Sequence, residues 1–294
     1  MGKSILRERL SDKLAPEELY ELNASFDIVG DIAIIKVPSS LQGRRGLIAE
    51  TVMAVNKNVK TVLEQVTPVS GEFRLRKLEW VCGERKTETI HREFNCVFKV
   101  DLSEVYFSPR LSYERMRITK IAQPDEVIIN MFAGVGCFSI VLAKHSKVER
   151  IYSIDINPSA VGLMRENVFL NNVEKKVEVI LGDSREVIEK GLRSLADRTL
   201  MPLPEKAYEY LDAVVLALKP GIGFIHYYDF VHARKGEKPA EKIVGKLERR
   251  LKELGVSFDI VFSRIVRTVG PNWYQIALDV KTFTQYSSLR WKFP

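Results

Sequence analysis

The apolar run Val127–Met131 leads into Gly134-Val135-Gly136, a helical pattern follows at once, and a second apolar run from Ile151 ends in Asp155, 21 residues after Gly134. Strand, glycine turn, helix and acid-tipped strand at this spacing make a nucleotide-binding βαβ unit. Glycines let a ligand approach the backbone at the helix start, and a carboxylate about 20 residues on can accept hydrogen bonds from both ribose hydroxyls. The third glycine of the dinucleotide fingerprint is absent, because Ile140 and Val141 continue the helix. A pyrophosphate has no special provision here. The pattern therefore points away from NAD and towards S-adenosylmethionine, which has a ribose and no phosphate. Asp155 could instead cap the helix that begins near Pro158. Asp183 ends a third run, Val177–Leu181, where it could meet an adenine amino group or cap the helix opening at Ser184.

Around this unit the chain alternates strand and helix from Glu126 onward. Strands are expected at Val127–Met131, Ile151–Ile154, Val177–Leu181, Thr199–Met201 and Gly223–Tyr228. Helices are expected at Gly136–His145, Ala160–Leu170, Arg185–Lys190, Lys206–Leu218 and Pro239–Leu254. Such alternation predicts a mainly parallel sheet with helices on both faces. Two last runs, Phe258–Val266 and Tyr274–Phe283, flank Gly270-Pro271-Asn272 and read as an antiparallel hairpin closing the sheet. The tail 284–294, with Tyr286, Trp291 and Phe293, has no assignment beyond packing or fraying.

The earlier part reads as a small α+β domain. Ser25–Val37 is a strand pair or bent strand with a Gly-Asp turn, Leu41–Asn56 is helical, and Val59–Val66, Phe73–Trp80, Thr87–His91 and Cys96–Val100 alternate as strands. Leu6, Leu10, Leu14 and Leu19 give residues 1–23 an amphipathic helical face suited to docking. The expected organisation is an N-terminal helical segment (1–23), an RNA-facing α+β domain (24–112) and an S-adenosylmethionine-binding α/β domain (113–294).

At 294 residues and 46% hydrophobic, the chain has material for two domains. No apolar run reaches the roughly 18 residues of a membrane span, and the start is charged where a signal peptide turns apolar. The expectation is a soluble cytoplasmic monomer without membrane association or bound metal. Cys82, Cys96 and Cys137 lack metal-ligand spacing and read as reduced thiols, Cys137 as a small apolar filler at a helix start. The net charge of +7 suits a polyanionic partner. Arg44-Arg45, Arg74 to Lys77, Arg110, Arg115, Arg117 and Lys120 are candidate phosphate contacts, and equally candidates for a solvated face.

Between the two parts lies Tyr106-Phe-Ser-Pro-Arg110 followed by Glu114-Arg115. With Met131-Phe-Ala-Gly-Val-Gly136, Ile154-Asp-Ile-Asn-Pro158, Ala196-Asp-Arg198 before Leu203-Pro204, and His226-Tyr-Tyr228, this order of motifs resembles the archaeal and eukaryotic tRNA (guanine-N1)-methyltransferases that act on guanosine 37. The likeness runs over about residues 26–283. It implies a Rossmann-type domain that binds S-adenosylmethionine, a small preceding domain, and the anticodon arm of tRNA as partner. It implies Glu114 as general base and Arg74 on guanine O6. Phe132, Ala133, Gly134, Gly136, Asp155, Ile156, Asn157, Asp183, Ser184 and Pro202 fall on the cofactor positions, and Tyr106, Arg110, Pro204 and Tyr228 on the substrate positions. On spacing alone, Glu114 could as well pair with Arg110 or Arg117 on a helix surface, and Tyr227 and Tyr228 could simply pack.

One departure from the family is Met201-Pro-Leu-Pro204 in place of Asn-Leu-Pro, so that Pro202 removes an amide that helps hold the base. The family often carries a further N-terminal domain that grips the tRNA elbow, for which this chain is short. Two other readings share the fold: transfer of the cofactor's aminocarboxypropyl group, as in wybutosine-pathway enzymes, and a non-catalytic RNA-binding relative. The arginine of Pro-Arg-x-x-x-Glu-Arg and the His-Tyr-Tyr sequence, here Arg110 and Tyr228, favour methyl transfer over the first.

Overall fold

Short apolar runs bounded by turn residues build the first half of the chain. In the computed structural model, which describes residues 2–284, β1 (Asp27–Val29) and β2 (Ile32–Ile35) pair antiparallel across Gly30-Asp31. Gly30 turns with φ +55°, and a Cβ there would meet Thr89 Oγ1 at 2.1 Å, so the turn requires glycine. β3 (Thr61–Gln65) joins β2 in parallel and β4 (Leu78–Gly83) joins β3 antiparallel, while β5 (Glu88–Glu93) and β6 (Cys96–Asp101) form a separate hairpin.

Helices α1 (Gly2–Leu10) and α2 (Pro16–Glu21) precede this sheet. Leu6, Leu10, Leu14 and Leu22 are buried in one core with Ala33, Ile35, Val52 and Val62, so the amphipathic face of residues 1–23 is spent on its own unit. The expected helix at Leu41–Asn56 is split into a 3-10 segment, Ser39–Arg44, and α3 (Arg45–Val55). The expected strand at Phe73–Trp80 starts only at Leu78. Ser70 bridges Leu75 around a tight turn whose ends, Gly71 and Arg74, have φ +74° and +55°, which no strand accommodates.

Chain contacts divide the molecule between Ser112 and Tyr113 into two compact units. The second takes in α4 (Ser112–Ile121) from Tyr113 onward and contains a seven-stranded sheet. Its elements in chain order are β7 (Val127–Asn130), α5 (Cys137–His145), β8 (Arg150–Asp155), α6 (Pro158–Leu170), β9 (Val177–Leu181), α7 (Ser184–Gly191), β10 (Arg198–Met201), α8 (Leu211–Ala217), β11 (Gly221–His232), α9 (Pro239–Glu253), β12 (Ser257–Gly270) and β13 (Trp273–Thr284). The spatial order is β12-β13-β11-β10-β7-β8-β9; β7 to β11 run parallel, and β13 and β12 close the edge as an antiparallel hairpin. Strand order reverses between β7 and β10, and ligands of such sheets bind outside the carboxyl ends of the strands at this switch point.

The segment 206–218, expected to be one helix, begins as irregular turns and becomes helical only at Leu211. Bonds from Lys206 N to Leu203 O, Glu209 N to Lys206 O and Tyr210 N to Ala207 O tighten it. That winding directs Tyr210 towards the carboxyl end of β9. The last ten residues, including Tyr286, Trp291 and Phe293, lie outside the described residues. Among the described residues, no helix is long and apolar enough to cross a membrane, and no cluster of His, Cys, Asp and Glu could hold a metal ion. Cys96 and Cys137 are buried and Cys82 is half-buried.

Candidate active site

The glycine turn is shaped by backbone that L side chains resist. Gly134 has φ +56° and Gly136 φ +90°. A Cβ on Gly136 would lie 2.9 Å from Met164 Cγ, so that glycine serves the packing of α5 on α6. A Cβ on Gly134 would meet nothing within 4 Å, so the turn leaves clear space on its outer side. Asp155 ends β8 and reaches across to the turn: Oδ2 accepts from Gly134 N at 2.6 Å and Oδ1 from Asn157 N at 3.0 Å. Burial pushes the Asp155 carboxyl above its ordinary value despite these hydrogen bonds. The helix cap falls to Asn157, whose Oδ1 accepts from Ser159 N at 3.0 Å, and not to Asp155.

Neighbouring strand ends converge on the same place. Asp183 caps α7 through Oδ1, accepting from Arg185 N at 2.8 Å and Glu186 N at 3.2 Å, and its Oδ2 accepts from the Tyr210 hydroxyl. Tyr210 also packs edge-on against Phe132, ring centroids 5.2 Å apart. Burial and the Asp183 partner raise the Tyr210 phenol above its ordinary value, so it stays a hydrogen-bond donor. Ser184 is buried and donates to Met131 O, tying α7 to the end of β7. Ala133 N donates to Ile154 O at 2.9 Å, and the Ile156 side chain stays exposed beside Asp155. Pro202 is half-buried just past β10, and Pro204 is buried at the start of the turns leading to α8. An open glycine turn, a strand-end carboxylate and a nearby aromatic pair, Phe132 and Tyr210, fit a ribose and an adenine.

A second cluster surrounds Glu114. Placed in the first turn of α4, it is 1% exposed, not on a helix surface. Its Oε2 accepts from Tyr228 Oη at 3.0 Å and from Arg117 Nε at 3.0 Å. Its Oε1 is buried and has no hydrogen bond; Arg264 Nη1 lies 3.2 Å away, within ion-pair range but off the hydrogen-bonding line. The Arg264 guanidinium stacks on the exposed Tyr113 ring, 4.2 Å from its centroid. Burial first, then the Glu114 charge, push the Tyr228 phenol well above its ordinary range, so Tyr228 remains protonated and donates. Tyr227 is a core residue whose hydroxyl donates to Asp229 at 2.6 Å.

Behind Glu114 a chain of buried polar side chains crosses the sheet. Arg117 Nη1 donates to Asp279 Oδ2 at 2.5 Å and Nη2 to Oδ1 at 3.1 Å. Asp279 Oδ1 meets His226 Nδ1 at 2.6 Å, and His226 Nε2 meets Arg198 Nη1 at 2.6 Å. Arg198 in turn clamps Glu126 through Nε (2.8 Å) and Nη2 (2.7 Å). An arginine only donates, so His226 Nε2 must accept and Nδ1 must carry the proton given to Asp279. His226 is therefore neutral, in agreement with the fall that burial imposes on its pKa. Burial alone would raise Asp279, but the His226 and Arg117 hydrogen bonds bring it down to about 2.

Arg74, Tyr106 and Arg110 belong to the first unit. Arg74 holds a left-handed backbone, φ +55°, at the end of its turn, and its guanidinium covers the Tyr106 ring at 4.3 Å. A bulky residue at positive φ is strained, and such strain concentrates at functional sites. Arg110 Nε pairs with Asp27 Oδ1 at 2.5 Å. The other basic residues are largely answered by acids: Arg44 by Glu18, Arg45 by Glu64 and Glu79, Lys77 by Glu79. These pairs favour the solvated-face reading for that cluster.

Sequence reasoning passed over Asp279, Glu126, Arg264 and Tyr210, and met Arg198 and His226 only as members of family motifs, without a role for either. A signal existed for two of them. Asp279 interrupts the apolar run Ile276-Ala-Leu-Asp-Val280, and Arg198 opens the apolar run Thr199–Met201; a charge on a buried strand demands a partner.

Comparison with known proteins reveals extended likeness. Residues 89–258 match the family described as the TRM5/TYW2 methyltransferase domain, and residues 6–87 the TYW2 N-terminal domain. The tRNA (guanine(37)-N(1))-methyltransferase Trm5b of Pyrococcus abyssi is 43% identical over 267 residues, 90% of this chain and 77% of that protein. The tRNA(Phe) (4-demethylwyosine(37)-C(7)) aminocarboxypropyltransferase of Methanocaldococcus jannaschii is 31% identical over 261 residues, 88% of this chain and 98% of that protein. Among solved structures, aTrm5 in complex with tRNALeu superposes with a TM-score of 0.82 at 35% identity, covering 96% of this chain and 79% of that one.

Proposed function

We propose, since the chain belongs to the TRM5/TYW2 methyltransferase family, whose cofactor is S-adenosylmethionine, that it methylates N1 of guanosine 37 in tRNA with Glu114 as general base. When bound, the cofactor supplies an electrophilic methyl group on a sulfonium. Gly134, Asp155, Asp183 and the Phe132–Tyr210 pair would hold its adenosine. Guanine N1 carries a proton at neutral pH and has no lone pair to offer. Glu114 takes that proton, the N1–H electron pair stays on the ring, and negative charge spreads to O6. By family resemblance Arg74 receives that charge.

The observation that carries this reading is the asymmetry of the Glu114 carboxylate. Oε2 is fixed by Tyr228 and Arg117, whereas Oε1 is buried without a hydrogen bond. A carboxylate held by one oxygen offers the other as a positioned proton acceptor. The identity with Trm5b of Pyrococcus abyssi supports the same target atom. Reaction with methyl-labelled S-adenosylmethionine, digestion of the tRNA and identification of the nucleoside test it. 1-Methylguanosine at position 37 is expected.

The likeness to the aminocarboxypropyltransferase of Methanocaldococcus jannaschii favours a second reading, transfer of the cofactor's aminocarboxypropyl group to the base at position 37. In that case label in the cofactor's carboxyl carbon, and not in its methyl, would enter the tRNA.

A further inference from the structure

We propose that Arg264 is an exchangeable cover of Glu114, which leaves the carboxylate for a backbone phosphate of the bound RNA and so uncovers the base when substrate arrives. The inference rests on the assignment of Glu114 as proton acceptor.

Glu114 is 1% exposed, and the group facing its free oxygen is the Arg264 guanidinium, 3.2 Å from Oε1. The Arg264 side chain is 30% exposed, and its guanidinium rests on the ring of Tyr113, a residue 63% exposed. Arg117, by contrast, is locked between Glu114 and Asp279. A polymer can present its base to Oε1 only if the cover moves, and of the two cations at Glu114 Arg264 is the more exposed, 30% against 10% for the Arg117 side chain. β12 supplies it from an edge strand, between register shifts at Ile260/Phe262 and Ile265/Arg267. Bulges of this kind re-aim side chains beside active sites.

Charge bookkeeping makes the move reversible. Glu114, Asp279 and Glu126 are three carboxylates along this chain of contacts, and Arg117, Arg198 and Arg264 are three guanidiniums, with His226 neutral. When Arg264 leaves, the interior carries one uncompensated negative charge, which the proton taken from guanine N1 then neutralises. The departing cation also needs an anion, because an unpaired guanidinium in a half-buried position is costly. A phosphodiester of the incoming RNA meets that need with bidentate geometry.

The exchange predicts competition between Glu114 and the RNA for one cation, which binding alone can measure. Unmodified tRNA would be titrated against the full chain in the presence of S-adenosylhomocysteine, so that no transfer occurs. R264A should lower the slope of log affinity against log salt by about one unit, and R264K should restore it. E114Q should tighten tRNA binding about threefold to tenfold, and this gain should vanish in the R264A background. An unchanged salt slope in R264A, or an equal effect of E114Q with and without Arg264, overturns the exchange. Failure of the base assignment would appear elsewhere, as a modified nucleoside other than 1-methylguanosine, and would leave the binding cycle untouched.

Discussion

Arg117 grips Asp279 through both terminal nitrogens, at 2.5 and 3.1 Å, while its Nε holds Glu114 at 3.0 Å, so one guanidinium joins the candidate base on α4 to a carboxylate on β13. Both acids are nearly sealed from water. Removing the cation would leave two buried carboxylates short of a partner. Arg117→Met should therefore cost about 3–5 kcal/mol of stability, the range for breaking a buried ion pair from one side. Urea unfolding at neutral pH measures it, and a loss below about 1 kcal/mol would mean that the network is solvated.

The same chain sets an acid limit on the fold. Burial, aided by Arg198 and Arg117, holds His226 below its ordinary value of 6.5 in the folded state. The unfolded chain thus binds the proton first, and this contribution to stability is complete above pH 6.5 and declines as the pH falls. Asp279 stands at about 2 in the fold against an ordinary 3.8, so its contribution, about 2 kcal/mol, is present above pH 3.8 and lost towards pH 2. Urea midpoints of the wild type should drop between pH 7 and pH 5. Those of His226→Asn should start lower but change less over that interval; equal pH dependence in both proteins would place the acid sensitivity in other groups.

The glycine turn and Asp155 were legible in the sequence because close backbone approach leaves a local trace: two glycines at positive φ and an acid at the next strand's end. The mainly parallel sheet and its closing antiparallel hairpin followed from the alternation of strands and helices and the two last apolar runs, whereas the order of the strands did not. The chain from Glu114 to Glu126 was not legible, because its members come from α4, β13, β11 and β10 and from the residue before β7. Arg117 and Asp279 stand 162 residues apart, and only the sheet order brings them to one line. The turn at Arg74 was missed for a different reason. Its neighbours alternate like a strand, and the left-handed backbone that breaks the strand carries no glycine at that position.

Asp155 accepts two backbone hydrogen bonds and leaves the helix cap to Asn157. Asp155→Ala should weaken S-adenosylmethionine binding by about 1.5–3 kcal/mol, the value of charge-assisted hydrogen bonds to a ribose. Calorimetric titration checks this. Unchanged affinity would reduce Asp155 to a brace for the glycine turn.

The central claim is that Glu114 Oε1, the carboxylate oxygen without a hydrogen bond, takes the guanine N1 proton, and Glu114→Gln tests it most directly. Glutamine keeps the shape and can still accept from Tyr228 and Arg117, yet it cannot hold the proton. Single-turnover methylation at saturating tRNA and S-adenosylmethionine should fall by about 10²–10⁴, the range for a positioned general base, with cofactor affinity retained. A near wild-type rate of 1-methylguanosine formation by Glu114→Gln would contradict the account and assign the proton to another group.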